Sequence, residues 1–366
     1  MSVILFIVIL FVLVLVHEFG HYIVAKRSGI RVDEFGFGYP PRALKLFIRK
    51  GTLFTLNWLP FGGFVKIFGE NPDDENTNGP DRDKSFVHKP KYIQALVLVA
   101  GVLMNFILAW LLLSVGYMSG SPTAVGSEPS GYTVENAALT VMSVEKNSPA
   151  ESGGFKIGDV IEKITYKDEI VTDPTPDTLR GFVQGHSDTE IVFSISRGPE
   201  KKEILVTPQI PDGSDKAMVG IAMDNVGTLK LPFFRSLLEG LKTSWNVTIA
   251  IVVNLYTLIH DAIFGHPDLS NITGPVGIVG VVGDAYRFGL SYLISLTALI
   301  SLNLAVINLL PFPALDGGRL LFVGIESIKR SPINPRISNT LNFIGFSLLI
   351  ILMLILTYKD IMHLIK

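Results

Sequence analysis

Ser2-Val-Ile-Leu-Phe-Ile-Val-Ile-Leu-Phe-Val-Leu-Val-Leu-Val16 carries no charge, and it runs directly into His17-Glu18-Phe19-Gly20-His21. The first basic residues after it are Lys26 and Arg27. A secretory signal would begin with basic residues and close on a small-residue cleavage site. Neither is present, so residues 2–25 are expected to stay in place as a transmembrane helix, about 20 residues being enough to cross the hydrocarbon. An ionised residue at the centre of such a helix costs roughly 2.5–3.5 kcal/mol, and groups kept there ordinarily mark function. A polar patch facing a neighbouring helix is the plainer alternative, and that cost weighs against it.

The rest of the chain agrees with a membrane setting. It has 366 residues, 48% of them hydrophobic and 17% charged, against roughly 25% charged in soluble domains, and its mean hydropathy is +0.43. A net charge of −2 gives a nucleic-acid partner no electrostatic support. The absence of cysteine removes disulfides, iron–sulfur clusters and thiolate ligands, so any metal must be held by His, Asp or Glu. Further spans are expected over about 92–118, 290–310 and 342–356. Residues 233–264 include Arg235, Glu239, Lys242, His260 and Asp261, which suits a helix at the membrane interface better than a crossing. Loop 26–91 holds 12 Lys/Arg and 8 Asp/Glu, whereas 120–232 holds 10 and 17. Positive residues mark the cytoplasmic side, which places 26–91 inside and 120–232 outside.

Between the spans, 121–228 has the content of a small soluble domain. Strands are expected at Leu139–Val144, Asp159–Ile164, Ile191–Ile195 and Glu203–Val206, with short helices near Pro149–Ser152 and Pro176–Gln184. Residues 71–84 read as a polar, mobile loop. In 26–66, Phe54–Trp58 and Phe64–Phe68 alternate weakly on either side of Gly62-Gly63. They suggest a small sheet at the inner membrane face, either a packed cap or a substrate contact.

His17 to His21 fits H-E-x-x-H. Residues four apart share one helix face, so both imidazoles can reach one ion, with Glu18 placed to take a proton from water activated there. Gly20 lets another backbone approach. A catalytic zinc site needs a third protein ligand. His88, His186, His260, His266 and His363 lie in loops, in the outer segment or near the chain end. Asp316 is the better candidate, in Asn308-Leu-Leu-Pro-Phe-Pro-Ala-Leu-Asp-Gly-Gly-Arg319, where Pro311 and Pro313 interrupt regular helix. A helix-end cap is its plain alternative. Parity is consistent: with the N-terminus outside, crossings at 2–25, 92–118 and 290–310 bring Asp316 to the inner side, provided 233–264 does not cross. His17 then lies roughly 14 Å of helix from Lys26, within the membrane towards the cytoplasm.

Together these residues resemble the site-2 protease family of intramembrane zinc metalloproteases, in its bacterial form with one PDZ domain. H-E-x-x-H matches 17–21, and N-x-x-P-x-P-x-L-D-G matches Asn308 to Gly317. Ala100-Gly-Val-Leu-Met-Asn105 resembles a signature of the second span, with Val102 where Pro is usual. Pro60-Phe-Gly-Gly-Phe-Val-Lys66 looks like the family's membrane-entering hairpin, and Gly274-Pro-Val-Gly-Ile278 resembles a further recurrent segment. Asn147–Val160 is similar to a PDZ domain, with no glycine-rich carboxylate loop ahead of Leu139, so peptide capture and steric gating both stay open for it. The resemblance implies zinc on His17, His21 and Asp316, with Glu18 as general base. It also implies substrate contacts at Asn308, Pro313, Gly63, Phe64 and Val65. The expected substrates are single-pass membrane proteins, for example anti-sigma factors or remnant signal peptides, cut in the bilayer after an upstream site-1-type protease. The expected location is the bacterial inner membrane, with the site near the cytoplasmic side. Arg319 stands where some relatives carry His and is left with at most a headgroup contact.

The expected fold is an α-helical polytopic membrane protein of four transmembrane helices, with an inserted extracytoplasmic PDZ-like α/β domain and a small membrane-associated β-sheet. Its parts are the first span at 1–27, a hairpin region at 28–90, the second span at 91–119 and the PDZ-like domain at 120–230. An interfacial helix and connector at 231–289, the third span at 290–316, a cytoplasmic loop at 317–340, the fourth span at 341–358 and a tail at 359–366 complete it. A non-enzymatic membrane receptor and an ion transporter are the competing functions. Glu18 argues against the first, since a structural metal needs no base, and the ordered H-E-x-x-H with a large outer segment argues against the second.

Overall fold

The structure, a computed structural model, describes all residues except 72–73, 212–214, 266–272 and 366. His266 therefore lies outside the described residues. In chain order the elements are α1 (Ser2–Arg27), β1 (Val32–Arg49), β2 (Thr52–Ile67), α2 (Asp74–Asn78), α3 (Lys91–Ser119), β3 (Ser121–Ala124), β4 (Glu135–Val144), α4 (Pro149–Gly153), β5 (Val160–Tyr166), β6 (Glu169–Thr172), α5 (Pro176–Gly185), β7 (Ile191–Arg197), β8 (Glu200–Val206), β9 (Ile221–Leu229), α6 (Phe233–Ile263), α7 (Pro275–Phe288), α8 (Leu290–Leu309), α9 (Asp316–Lys329) and α10 (Pro335–Ile365). The chain divides into two units. One holds 1–113, 237–283 and 296–366, and the other holds 114–236 and 284–295.

In the first unit, α1, α3, α8 and α10 are the described helices long and apolar enough to cross a membrane. On α1 the buried residues are Ile9, Leu13, His17, Gly20, His21 and Ala25, a stripe spaced by three and four. Val3, Ile4, Val8, Val12 and Phe19 are exposed. A helix that turns apolar side chains outward in this way is solvated by lipid, where its backbone groups are satisfied within the helix. Helix α6 packs Val247 and Ile251 against Ala109 of α3 and Ala298 and Leu302 of α8.

Several expectations change. The hairpin turn falls at Lys50-Gly51, where both residues have positive φ, while Gly62, at a φ of 98°, marks where β2 passes from one pairing with β1 to a second. Strand β1 is met twice by β2, with Phe35 opposite both Val65 and Phe54, and Gly36 opposite both Phe64 and Thr55. This doubled pairing buries Phe35, Phe54 and Val65 with Ala25, Val97 and Val323 in one core. The polar segment 71–84 contains α2 and a 3-10 turn at Arg82–Lys84, anchored where Arg31 pairs with Asp81 at 2.8 Å. Residues 317–340 are not a loop: α9 begins at Asp316, and its apolar residues pack Val323 into the same core. The expected tail continues α10 to Ile365.

The second unit is a seven-stranded sheet in the order β3-β9-β4-β5-β7-β8, with β6 paired to β5. Strands β3, β6 and β9 escape the sequence pattern. β3 and β6 are four residues each, and β9 is interrupted by Asp224, Asn225 and Gly227. The two short helices start where their caps dictate. Ser148 accepts the Glu151 N–H at the head of α4, and Thr175 and Thr178 form a reciprocal capping box on α5, each helix having Pro at its first turn. The core comprises Leu139, Val141, Ile161, Ile164, Leu179, Phe182, Ile191 and Phe193 with their neighbours. At its edge the fully buried Asp159 takes a bidentate bond from Arg197, 2.7 Å on each arm, and a third from the Lys156 N–H at 2.8 Å. Its loss would strip the guanidinium of this carboxylate and leave it the Gly154 carbonyl, which accepts from Nη2 at 2.8 Å. Asp159→Ala is therefore expected to destabilise this unit by about 3–5 kcal/mol, read as a lowered midpoint of its unfolding in the full-length protein.

Candidate metal centre

Helix α1 supplies two imidazoles one turn apart, and the start of α9 supplies a carboxylate. His17 Nε2 lies 2.9 Å from Asp316 Oδ2, His21 Nε2 lies 3.3 Å from the same oxygen, and the two Nε2 atoms are 3.1 Å apart. Three donors bonded to one ion at about 2.0–2.1 Å in a tetrahedron stand about 3.3 Å from one another. The spacing observed is close to that. Both histidines are buried, and the Asp316 side chain is 22% exposed, which leaves the cluster open on one side. Among the described residues this is the group of His, Asp and Glu arranged to hold a metal ion.

The tautomer of His21 is fixed by its second nitrogen. Nδ1 donates to the Val97 carbonyl at 2.8 Å, so Nε2 turns a lone pair towards Asp316. His21 Nε2 and Asp316 Oδ2, both turned inward as acceptors beside His17 Nε2, are relieved of mutual repulsion by a cation placed among the three. The donor set thus fits a divalent metal of the kind that accepts nitrogen and oxygen together.

Helix α3 faces both histidines through residues four apart, Val97, Gly101 and Asn105. A Cβ on Gly101 would stand 2.4 Å from His21 Nε2 and 2.7 Å from His17 Cε1. On α1, a Cβ on Gly20 would stand 2.4 Å from the Ala100 carbonyl oxygen. The two glycines let the helices close until the rings lie against α3. Asn105 Nδ2 is 3.4 Å from His17 Nδ1, and Ser301 of α8 donates to the Asn105 carbonyl at 2.8 Å.

Asp316 reaches the cluster because α8 stops at Leu309, ahead of Pro311 and Pro313. The chain then folds back tightly: a Cβ at Gly317 would stand 2.2 Å from the Leu310 oxygen, and one at Gly318 2.2 Å from the Phe312 oxygen. Ala314 takes a left-handed φ of 74°, and its N–H donates to Asn342 of α10 at 3.2 Å. Sequence reasoning named Gly101 and Asn105 only within a resembling signature and gave no role to them, to Val97 or to Asn342. The signal for the first three was a period-four stripe inside an apolar helix that ends on a polar residue. Asn342 offered no such pattern.

The other expected site residues divide. The Glu18 carboxylate interacts electrostatically with His17, His21 and Asp316 and faces the Val65 N–H, which brings the hairpin to the cluster. Gly63 lies against Leu15 of α1. The Phe64 ring instead covers Gly36 and stacks near Tyr39, 6.5 Å between centroids. Asn308 is half-buried in the last turn of α8, and Pro313 packs against Gly345. Arg319 makes an ion pair with Glu70, which replaces the headgroup contact.

Helices long and apolar enough to cross a membrane, and a cluster of two histidines and an aspartate spaced to hold a metal ion, are the features of a membrane metalloprotein. Comparison with known proteins is consistent with this. The model of peptidase family M50 matches residues 5–352. The zinc metalloprotease RasP of Oceanobacillus iheyensis is 28% identical, covering 99% of both chains. A proposed zinc metalloprotease of Clostridium perfringens is 35% identical, covering 95% of both, and the RasP of Geobacillus kaustophilus is 27% identical over 98% of this chain and 97% of its own. Among solved structures, the PDZ domain of the SdrC-like protein from Listeria monocytogenes aligns with 25% of this chain and 92% of its own, at 16% identity and a TM-score of 0.22. The chain belongs to peptidase family M50, the site-2 protease family. It is a membrane-embedded zinc metalloprotease.

The close approach at Gly101 makes a test. Gly101→Ala is expected to strip zinc from the purified protein and abolish cleavage. Gly116→Ala on the same helix, whose Cβ would find its nearest neighbour at 3.8 Å, is expected to leave zinc content unchanged by elemental analysis.

Proposed function

We propose that His17, His21 and Asp316 hold the zinc and that Glu18 is the general base in hydrolysis of a peptide bond within the bilayer. The observation that carries this reading is the convergence of two α1 imidazoles and the α9 carboxylate at tetrahedral spacing, 299 residues apart in sequence. Zinc held there supplies a Lewis acid that acidifies water and polarises a carbonyl. Glu18, next to His17 on the helix, removes the proton from the attacking water and returns it to the departing amide nitrogen. The Val65 N–H steadies its carboxylate.

A helical peptide bond has its N–H and C=O engaged within the helix, so it must be extended before attack. The edge of β2 offers a template for that. Gly63, Phe64 and Val65 pair with Phe37, Gly36 and Phe35 on one side, and a substrate strand added on the other side would run beside Glu18. The backbone of Phe64 serves here, since its ring is folded over Gly36. Asn308 and Pro313, flanking the break after α8, would border the unwound segment.

The substrates on this reading are single-pass membrane proteins, anti-sigma factors or remnant signal peptides among them, already trimmed by a site-1-type protease. The protein sits in the bacterial inner membrane with the PDZ-like unit outside and the metal towards the cytoplasm, as the charge of the loops suggests. For that outer unit, peptide capture gains support from β9: β3 covers Val226–Leu229 and leaves Ile221–Asp224 paired only to β4, an edge suited to strand addition.

Glu18→Gln is expected to keep zinc at one ion per chain and to slow cleavage of a model transmembrane substrate by about 10²–10⁴-fold. Unchanged cleavage would reject Glu18 as base, and loss of zinc would make it a ligand instead.

A further inference from the structure

The Ala100–Asn105 signature has so far been explained only at its glycine. Asn105 is wholly buried, and its Oδ1 has no hydrogen-bond partner, while its Nδ2 stands 3.4 Å from His17 Nδ1. A buried amide oxygen left without a donor costs about 1–3 kcal/mol. On the reading that His17 binds zinc through Nε2, its proton sits on Nδ1, and that N–H would face an NH₂ group, donor against donor. The two amide atoms have nearly the same shape, and a half-turn about the Cβ–Cγ bond exchanges them, giving His17 an acceptor and moving the NH₂ to the side where Oδ1 had no partner.

We propose that the Asn105 amide stands with Oδ1 towards His17 and accepts its Nδ1–H, so that Asn105 is the positioning residue that fixes the tautomer and ring plane of this ligand. The two histidines are then served alike from one helix. The Val97 carbonyl accepts from His21 at 2.8 Å, and the Asn105 side chain, two turns further along α3, accepts from His17. The residue types follow from where each ring lies. His21 lies where a backbone oxygen is within reach, whereas His17 needs a side chain that carries an acceptor into an apolar interface without adding charge. Ser301, donating to the Asn105 carbonyl at 2.8 Å, ties this turn of α3 to α8. Partners of this kind hold a ligand in its metal-binding orientation, and their removal typically costs 10–100-fold in metal affinity.

The test compares Asn105→Leu, which has similar volume and no acceptor, with Asn105→Asp, which keeps two acceptor oxygens. Each full-length protein is purified in detergent, its zinc counted by elemental analysis, and its affinity measured by competition with a chelator. Asn105→Leu is expected to bind zinc about 10–100-fold more weakly, and Asn105→Asp to bind as well as the parent or better. If Asn105→Leu does not accumulate, Asn105→Ala takes its place, with helicity by circular dichroism confirming the fold. Full zinc affinity in the variant lacking the acceptor would overturn the proposal, as would equal loss in both variants with the fold intact. A His17→Ala arm separates this outcome from the underlying reading. Zinc retained in His17→Ala removes His17 as a ligand, whereas zinc lost there but kept in Asn105→Leu refutes only the role of Asn105.

Discussion

Two buried imidazoles and a carboxylate turned towards one point call for a cation among them, and this constraint organises the helical unit. Two imidazole nitrogens and a carboxylate oxygen lie within 3.3 Å of one another, both imidazoles buried. Their neighbours are arranged so that each donor points inward. His21 is held by a backbone carbonyl of α3, and Asp316 is held by a chain reversal that returns the polypeptide to α1. Removing the ion leaves a costly arrangement, because unpaired polar groups in low dielectric forfeit most of their solvation.

Meeting that constraint demands close approach, and glycine supplies it where helices or turns must touch. Gly20 and Gly101 bring α1 and α3 together at the height of the histidines. Gly317 and Gly318 allow α9 to start beneath the broken end of α8. The reversal includes one strained residue. Ala314 sits in the left-handed region, a conformation that costs of order 1–3 kcal/mol for a residue with a side chain. The bond from its N–H to Asn342 offsets part of this and recruits α10 to the placement of Asp316.

How much of this could be read from the amino-acid order depended on the range of the interaction. H-E-x-x-H and the Pro-x-Pro-x-Leu-Asp-Gly segment are local, and each names its chemistry by residue type and spacing. The four apolar helices were equally plain, because lipid solvation leaves an uninterrupted run. The hairpin was not. Its doubled register depends on pairings between residues some twenty to thirty apart, and although Gly62-Gly63 marks the break between the two paired halves of β2, nothing local says that both halves flank the same stretch of β1. Helix α9 was hidden because Gly317 and Gly318 look like breakers, although what they permit is a tight start. The contribution of α3 was visible as a motif but mute as to role, since only the fold shows which face of that helix meets the histidines.

The same solvent that dictates the metal centre also accounts for the outer half of the hairpin. Leu44, Leu46, Phe47, Ile48, Leu56, Trp58 and Leu59 are exposed there, with Arg42, Lys45, Arg49 and Lys50 among them. In water such a patch would be an aggregation hazard. An element that alternates apolar and cationic residues, with an aromatic at its rim, instead suits the headgroup region, where apolar side chains enter the acyl boundary and amines meet phosphate. The inner half is tied to the bundle through the core of Phe35, Phe54 and Val65. One end of the hairpin is packed into the protein interior, and the other presents a surface with the chemistry of a headgroup contact. The β2 edge beside Glu18 borders the packed end, where an arriving strand would meet backbone that β1 does not engage.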